Sequence, residues 1–217
     1  MLKIKHFFQQ SWLLIVASFA FGLLIAVANA SLQARIRQNE KDKLNNLMRS
    51  LIGDANDFQI AIEQAQIPGD KGKVETTDVY RALDEDGDGI GFAFVGVGSG
   101  FADKIKLVIA VDGKCEKFFG FKVLSSNETP GFGSKIADDD PESNEDLVDE
   151  FKGAPVGKLE LVKTGKRRTD ESQPNDDQII AISGATVSSE AVVKIFNTYV
   201  ETVKEQLQQK GLIGDGR

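Results

Sequence analysis

The chain has 217 residues, with 33 acidic against 26 basic side chains and a formal charge of -7, which suits one domain with an appendage and offers no basic stripe for nucleic acid. Its only histidine is His6 and its only cysteine is Cys115, which excludes from the folded part a histidine-ligated haem, a cysteine-ligated iron–sulfur cluster, a Cys/His zinc site and a Ser-His-Asp triad. Any redox chemistry must then come from an organic cofactor. Cys115 itself reads as a buried structural thiol in a strand over 114–123.

The first predicted element is a membrane segment. No charge occurs between Phe7 and Ala34, and Trp12 to Ala30 is almost continuously apolar, a helix of about 28 Å that matches the hydrocarbon thickness of a bilayer. Lys3, Lys5 and Ala28-Asn29-Ala30 also fit a cleavable signal peptide, but the apolar stretch is long for one, and residues 1–30 are read as an uncleaved anchor. Arg35, Arg37, Lys41 and Lys43 outnumber the lysines before the span, although long domains translocate largely regardless of such charges. Leu32, Ile36, Leu44, Leu47, Met48 and Leu51 recur at mostly helical spacing, so residues 31–74 are read as a helical connector that packs on its own domain.

The folded domain is placed at 75–217. Val79–Leu83 and Ile90–Val97 flank Asp84-Glu85-Asp86-Gly87-Asp88-Gly89, an Asp-Gly hairpin signal. Asp84, Asp86, Asp88 and Gly89 also match the opening of a calcium loop, but its twelfth position is Val95 where a bidentate Glu is needed, and no metal site is assigned. A second hairpin runs from Ile105 through Asp112-Gly113 to Phe121. Gly96, Gly98 and Gly100 fail the nucleotide-loop spacing because Phe101 stands where a third glycine belongs; they read as flexible backbone between strands or as close neighbours of a flat ligand. The acidic run 138–150 is read as solvated loop or helix surface with no site assigned, and the polar stretch 165–178 as an exposed loop, with a strand over 158–163 between them. Ala191, Ile195, Tyr199, Val203 and Leu207 repeat every four residues, predicting a closing helix of about six turns that ends near Gly211 and Gly214. The fold class is α+β: a single N-terminal transmembrane helix followed by a mixed, largely antiparallel-sheet domain.

The stretch Ile182-Ser183-Gly184-Ala185-Thr186-Val187-Ser188-Ser189-Glu190 carries most of the functional information. A β-type run leads in and an amphipathic pattern begins at Val187, so Thr186 falls at a strand-to-helix junction, where unpaired N–H groups and the helix dipole favour a phosphate. Local physics leaves a plain helix start, capped by Ser or Thr, equally open.

Small-Gly-Ala-Thr followed by a hydrophobic residue and Ser/Thr-Ser resembles the attachment motif of the FMN-binding domain found in the G component of the Rnf electron-transport complex and the C component of the sodium-pumping NADH:quinone reductase. Upstream, Glu128-Thr129-Pro130-Gly131-Phe132-Gly133 resembles that family's Glu-Thr-Pro-Gly-Leu-Gly element. Ile180 stands where the family usually has Asp, with Asp176 and Asp177 the nearest acids. The resemblance implies FMN ester-linked through its phosphate to Thr186 by a separate flavin-attaching enzyme. It further implies a cradle of Ser183, Gly184, Ala185 and Val187, with Glu128, Thr129, Pro130 and Gly131 facing the phosphate or ring from another loop. It implies an electron-transfer component rather than a stand-alone catalyst, with other membrane subunits of an Rnf-type complex as partners, moving electrons between ferredoxin and NAD with ion transport. The implied location is single-pass in the inner membrane, with the flavin domain periplasmic. Two rival readings stay open: an anchored module binding FMN or a phosphorylated ligand noncovalently as sensor or assembly factor, and a purely structural exported domain.

Overall fold

The computed structural model describes residues 2–69, 73–137, 147–163 and 177–214, with side chains from residue 11 onward. It divides into two compact units, Met1–Lys43 and Leu44–Arg217. Helix α1 (Leu2–Leu51) supplies the whole described part of the first. Trp12, Leu14, Phe19 and Leu24 are all exposed there, and from Ser11 the helix is long and apolar enough to cross a bilayer. Two of its hydroxyls are satisfied internally: Ser18 donates to the Leu14 carbonyl and Ser31 to that of Val27, both at 2.8 Å, so neither needs a partner from water.

In the second unit, five strands form one antiparallel sheet in chain order: β1 (Asp57–Pro68), β2 (Val74–Leu83), β3 (Gly89–Ser99), β4 (Lys104–Asp112) and β5 (Phe118–Ser125). Both predicted hairpins are present. A 3-10 turn (Gly133–Ile136), the short helix α2 (Leu147–Phe151), a parallel pair β6 (Glu160–Val162) and β7 (Gln178–Ile180), and the long helix α3 (Thr186–Gln209) complete it. Alternation along the strands divides the core in two. Phe92, Phe94, Ile105, Leu107 and Ile109 point to the face covered by α3, where Phe196 packs among Phe118, Phe121 and Phe151 with ring centroids 4.2 to 5.6 Å away. Ala82, Ala93, Val108 and Ala110 point the other way, and these small side chains seat Met48 and Ile52 from the end of α1 and the residues after it.

Gly96 and Gly98 lie within β3, and a Cβ on either would come within 2.5 Å of an Ile195 side-chain carbon. These glycines let α3 approach the sheet, and they lie within a strand rather than in a loose linker. α3 ends in a Schellman arrangement, with Gly211 at φ +66, Leu212 N–H bonded to the Leu207 carbonyl at 3.0 Å and Gly211 N–H to that of Gln208 at 2.9 Å.

Two expectations need correction. The connector over 31–74 is helical only to Leu51, and its second half is the edge strand β1. β1 hides its period because its register shifts between Ile60 and Ile62 and again between Ile62 and Ala65, so Ile62, Ala65 and Ile67 are buried while Ile60 is exposed. Cys115 lies in the β4–β5 turn at φ 55 rather than in a strand, because Asp112 Oδ1 accepts the N–H groups of Glu116 at 2.7 Å and Lys117 at 3.1 Å and holds the turn open to Phe118; the thiol is nevertheless buried. The described end of the acidic run is a helix surface, as one of its two readings had it: Asp149 of α2 is exposed while Leu147 and Val148 are buried. Residues 138–146 of that run, and 165–176 of the polar loop, lie outside the described residues.

Candidate functional site

β7 ends at Ile180, and five residues carry the chain to α3. Ile182 and Ala185 are buried and hold this connection from inside. Ala185 N–H bonds to the Ile182 carbonyl at 3.0 Å, while Ser189 Oγ accepts the Ile182 N–H at 3.2 Å and donates to the Ala185 carbonyl at 3.0 Å. Gly184, at φ +82, supplies the left-handed turn that lifts the chain to the surface.

The residue at the helix cap is Ala185, and no side chain caps the helix. A start capped by Ser or Thr is therefore not what this sequence forms: Ser189 uses its hydroxyl one turn further in. Thr186, the first residue of α3, is exposed, and among the described residues its hydroxyl makes no hydrogen bond. Ser188 follows two positions later, about 200° around the axis, and points inward.

There it meets Glu128. This side chain is 6% exposed, and both carboxylate oxygens are satisfied. Oε2 accepts the Ser188 hydroxyl at 2.5 Å and the Phe101 N–H at 3.2 Å; Oε1 accepts the N–H groups of Ala102 at 3.0 Å and Asp103 at 3.4 Å. Burial pushes the carboxyl pKa up, but the Ser188 hydroxyl and the three backbone amides outweigh it, and the net shift is downward. Glu128 is thus an anion at neutral pH, fully engaged with protein.

The rest of its loop is held by its own backbone. The Thr129 carbonyl accepts the N–H groups of Phe132 at 3.1 Å and Ser134 at 3.2 Å, and Gly131, at φ +74, donates to Ser134 Oγ at 2.9 Å. Pro130 is exposed at the bend.

These segments enclose an open cavity of about 370 Å³, lined by Phe101, Thr129, Phe132, Gly133 and the run Gly184 to Ser188. Phe101 is 69% exposed, Phe132 62% and Val187 52%, an apolar rim around the Thr186 hydroxyl. No Lys or Arg among the described residues lines it, so positive potential comes from the backbone at the start of α3. The arrangement suits a ligand with a flat apolar body and an anionic end.

Of the residues singled out by sequence, Thr129, Gly184, Ala185, Thr186 and Val187 line this cavity. Ser183, Pro130 and Gly131 shape the two loops without lining it, and Glu128 lies buried between them. Phe101, Phe132, Gly133 and Ser188 were not singled out. Phe132, Gly133 and Ser188 sit inside the two motifs, where spacing from Thr186 by less than a full turn flags Ser188; Phe101 carried no signal beyond following a glycine. The 84–89 loop has a simpler purpose: Asp84 Oδ1 accepts the N–H groups of Asp86 at 3.0 Å and Asp88 at 2.8 Å, and the described residues contain no cluster fit for a metal.

Residues 100–201 match the FMN-binding domain family. The chain is similar to the G component of the ion-translocating oxidoreductase complex of Methanosarcina acetivorans, 27% identical over 89% of this chain and 92% of that one. It is also similar to the G component of the proton-translocating ferredoxin:NAD(+) oxidoreductase complex of Clostridium ljungdahlii, 28% identical over 88% of each. Among solved structures, Shewanella oneidensis NqrC superposes with a TM-score of 0.53 at 20% identity, covering 72% of this chain and 73% of that one. The C component of the Na(+)-translocating NADH-quinone reductase of Parabacteroides distasonis gives 0.51 at 20% identity, covering 78% and 95%. At that identity the likeness is one of fold.

Proposed function

We propose, from the match of residues 100–201 to the FMN-binding domain family, that this chain is the membrane-anchored flavoprotein of an Rnf-type ion-translocating ferredoxin:NAD oxidoreductase complex. It carries electrons through FMN joined by its phosphate to Thr186, and the names of the two relatives support the assignment to that complex. The observation that carries the attachment is the exposed, unbonded Thr186 hydroxyl at the start of α3, opening onto an apolar-rimmed cavity that both motifs share.

The residues fit the group. Backbone N–H groups at the start of α3 favour the phosphate, Gly184 and Ala185 keep the approach clear, and Phe101, Phe132 and Val187 offer apolar surface to the ring. Ser183, Glu128, Thr129, Pro130 and Gly131 shape the two loops that form the walls. FMN supplies reversible electron transfer, and the chain's task is to hold and orient it. Thr186 Oγ1 would hold the flavin as an ester of its phosphate, formed by the separate flavin-attaching enzyme, and the cradle around it would keep the ester in place. A tether suits a carrier that must keep its cofactor between turnovers. α1 anchors the unit, with the flavin domain on the periplasmic side.

One observation favours a noncovalent version of the site. Ile180, half-buried and paired with Val162 at the end of β7, replaces the Asp expected in the attachment motif. In-gel fluorescence separates the readings. The full chain, co-expressed with the flavin-attaching enzyme and denatured, is expected to give a fluorescent band and an FMN-sized mass increment on the Thr186 peptide, both absent in Thr186→Val. Flavin released on denaturation supports the noncovalent site, and no flavin at all supports a structural domain.

A further inference from the structure

We infer that Glu128 and Ser188 form a positioning clamp that sets the rotation of the first turn of α3, and with it the direction of the Thr186 hydroxyl, the Glu128 carboxylate acting from behind the cavity without touching the flavin. The inference rests on the attachment reading above and goes beyond it by removing Glu128 from the ligand-contacting set.

One carboxylate joins three segments that are far apart in sequence. It belongs to the loop after β5, it accepts three successive N–H groups from the β3–β4 turn, and it accepts the Ser188 hydroxyl from α3. Three consecutive amides around one anion form a rigid nest, and the hydroxyl bond at 2.5 Å is short, as charge-assisted O–H···O bonds are. Space around it is restricted. A Cβ on Gly100 would overlap Glu128 Oε1, and one on Gly133 would overlap Oε2 and come within 2.6 Å of Ser188 Oγ. Both glycines are required by the clamp's bulk, and neither has a positive φ that would otherwise explain it.

The geometry links this clamp to Thr186. Ser188 and Thr186 lie on nearly opposite sides of the first turn, so fixing one fixes the other. The same nest holds the Phe101 backbone, whose side chain forms part of the cavity rim. Glu128 therefore aligns the rim and the hydroxyl together, and its oxygens have no capacity turned toward the cavity.

The test measures single-turnover and steady-state FMN attachment to the full chain by the purified flavin-attaching enzyme, beside the unfolding temperature and amide exchange at 101–103 and 186–189. Ser188→Ala removes one hydroxyl and is expected to keep the fold. It should raise exchange at 186–189 and lower the kcat of attachment roughly ten- to a hundred-fold with KM little changed, since misplaced reacting groups cost rate at this scale. Glu128→Gln serves as a second variant: its amide group cannot accept all four donors, and it should loosen both 101–103 and 186–189. If Ser188→Ala and Glu128→Gln take up FMN at the wild-type rate while exchange shows the turn loosened, the clamp proposal is overturned and the attachment reading survives. If the wild-type chain takes up no FMN at Thr186, the attachment reading fails and takes the clamp with it. A loss of attachment that tracks unfolding temperature alone, with no change in exchange, also overturns the proposal.

Discussion

Gly133→Ala adds a single methyl group at the most crowded point of the site. Its Cβ would lie 2.6 Å from Ser188 Oγ, 2.9 Å from Glu128 Cβ and closer still to Glu128 Oε2. Two costs combine. Forcing a methyl into a filled interior costs about 1–3 kcal/mol. Displacing the Ser188–Glu128 bond costs about 1.5–3 kcal/mol more, because the acceptor is charged and buried. The expected loss is about 3–5 kcal/mol, which for a unit of this size lowers the melting temperature by roughly 10 °C. Gly157→Ala is the matched control: nothing lies within 4 Å of its Cβ, its φ is not positive, and it should leave stability unchanged or raise it by up to about 1 kcal/mol. Far-UV circular dichroism of the full chain in mild detergent is the assay, since the only tryptophan, Trp12, lies in α1 and reports nothing of the sheet. Equal melting temperatures for the two variants would refute the crowding, and with it the placement of Glu128 behind Gly133.

Three further outcomes are expected. Burial raises the Cys115 thiol to about 11, with Asp112 adding to the shift and Lys204 opposing it, so the native protein should resist a thiol reagent at pH 8 and react with one equivalent once denatured. Because the folded value lies above the unfolded one, this contribution to stability is complete below the ordinary thiol range and lost as pH rises toward 11; the urea midpoint should fall across that window more in wild type than in Cys115→Ala. Tyr199→Phe removes the 2.8 Å bond from the phenol to Glu75 Oε2 and should cost about 1 kcal/mol by urea unfolding, with FMN attachment unchanged; a neutral result would mean that Glu75 finds water as readily.

The parts of the fold legible in the sequence were those with unbroken period. α3 repeats every four residues from Ala191 to Leu207, and the two hairpins carry Asp-Gly turns between alternating strands. β1 was not legible, because two register shifts reset its alternation and because Gln59, Glu63, Gln64 and Gln66 suit a helix as well as a strand. At the site, Thr186 and the 128–133 loop were readable as motifs. The partner of Glu128 was not: Ser188 and the amides of 101–103 meet it across 60 and about 26 positions of chain, and no local pattern encodes such a meeting. The glycines of β3 were visible but ambiguous until the Ile195 side chain was seen against them.

β1 ends the sheet, and a twelve-residue outer strand would ordinarily be a template on which a second chain can lay down its own backbone. Here that row of donors and acceptors is interrupted. The bulges twist it out of line, the Gln206 amide of α3 takes the Gln66 carbonyl at 2.8 Å, and Pro68 has no N–H to give. The irregularity that hides β1 from sequence reading also makes this edge a poorer template for a second copy's backbone.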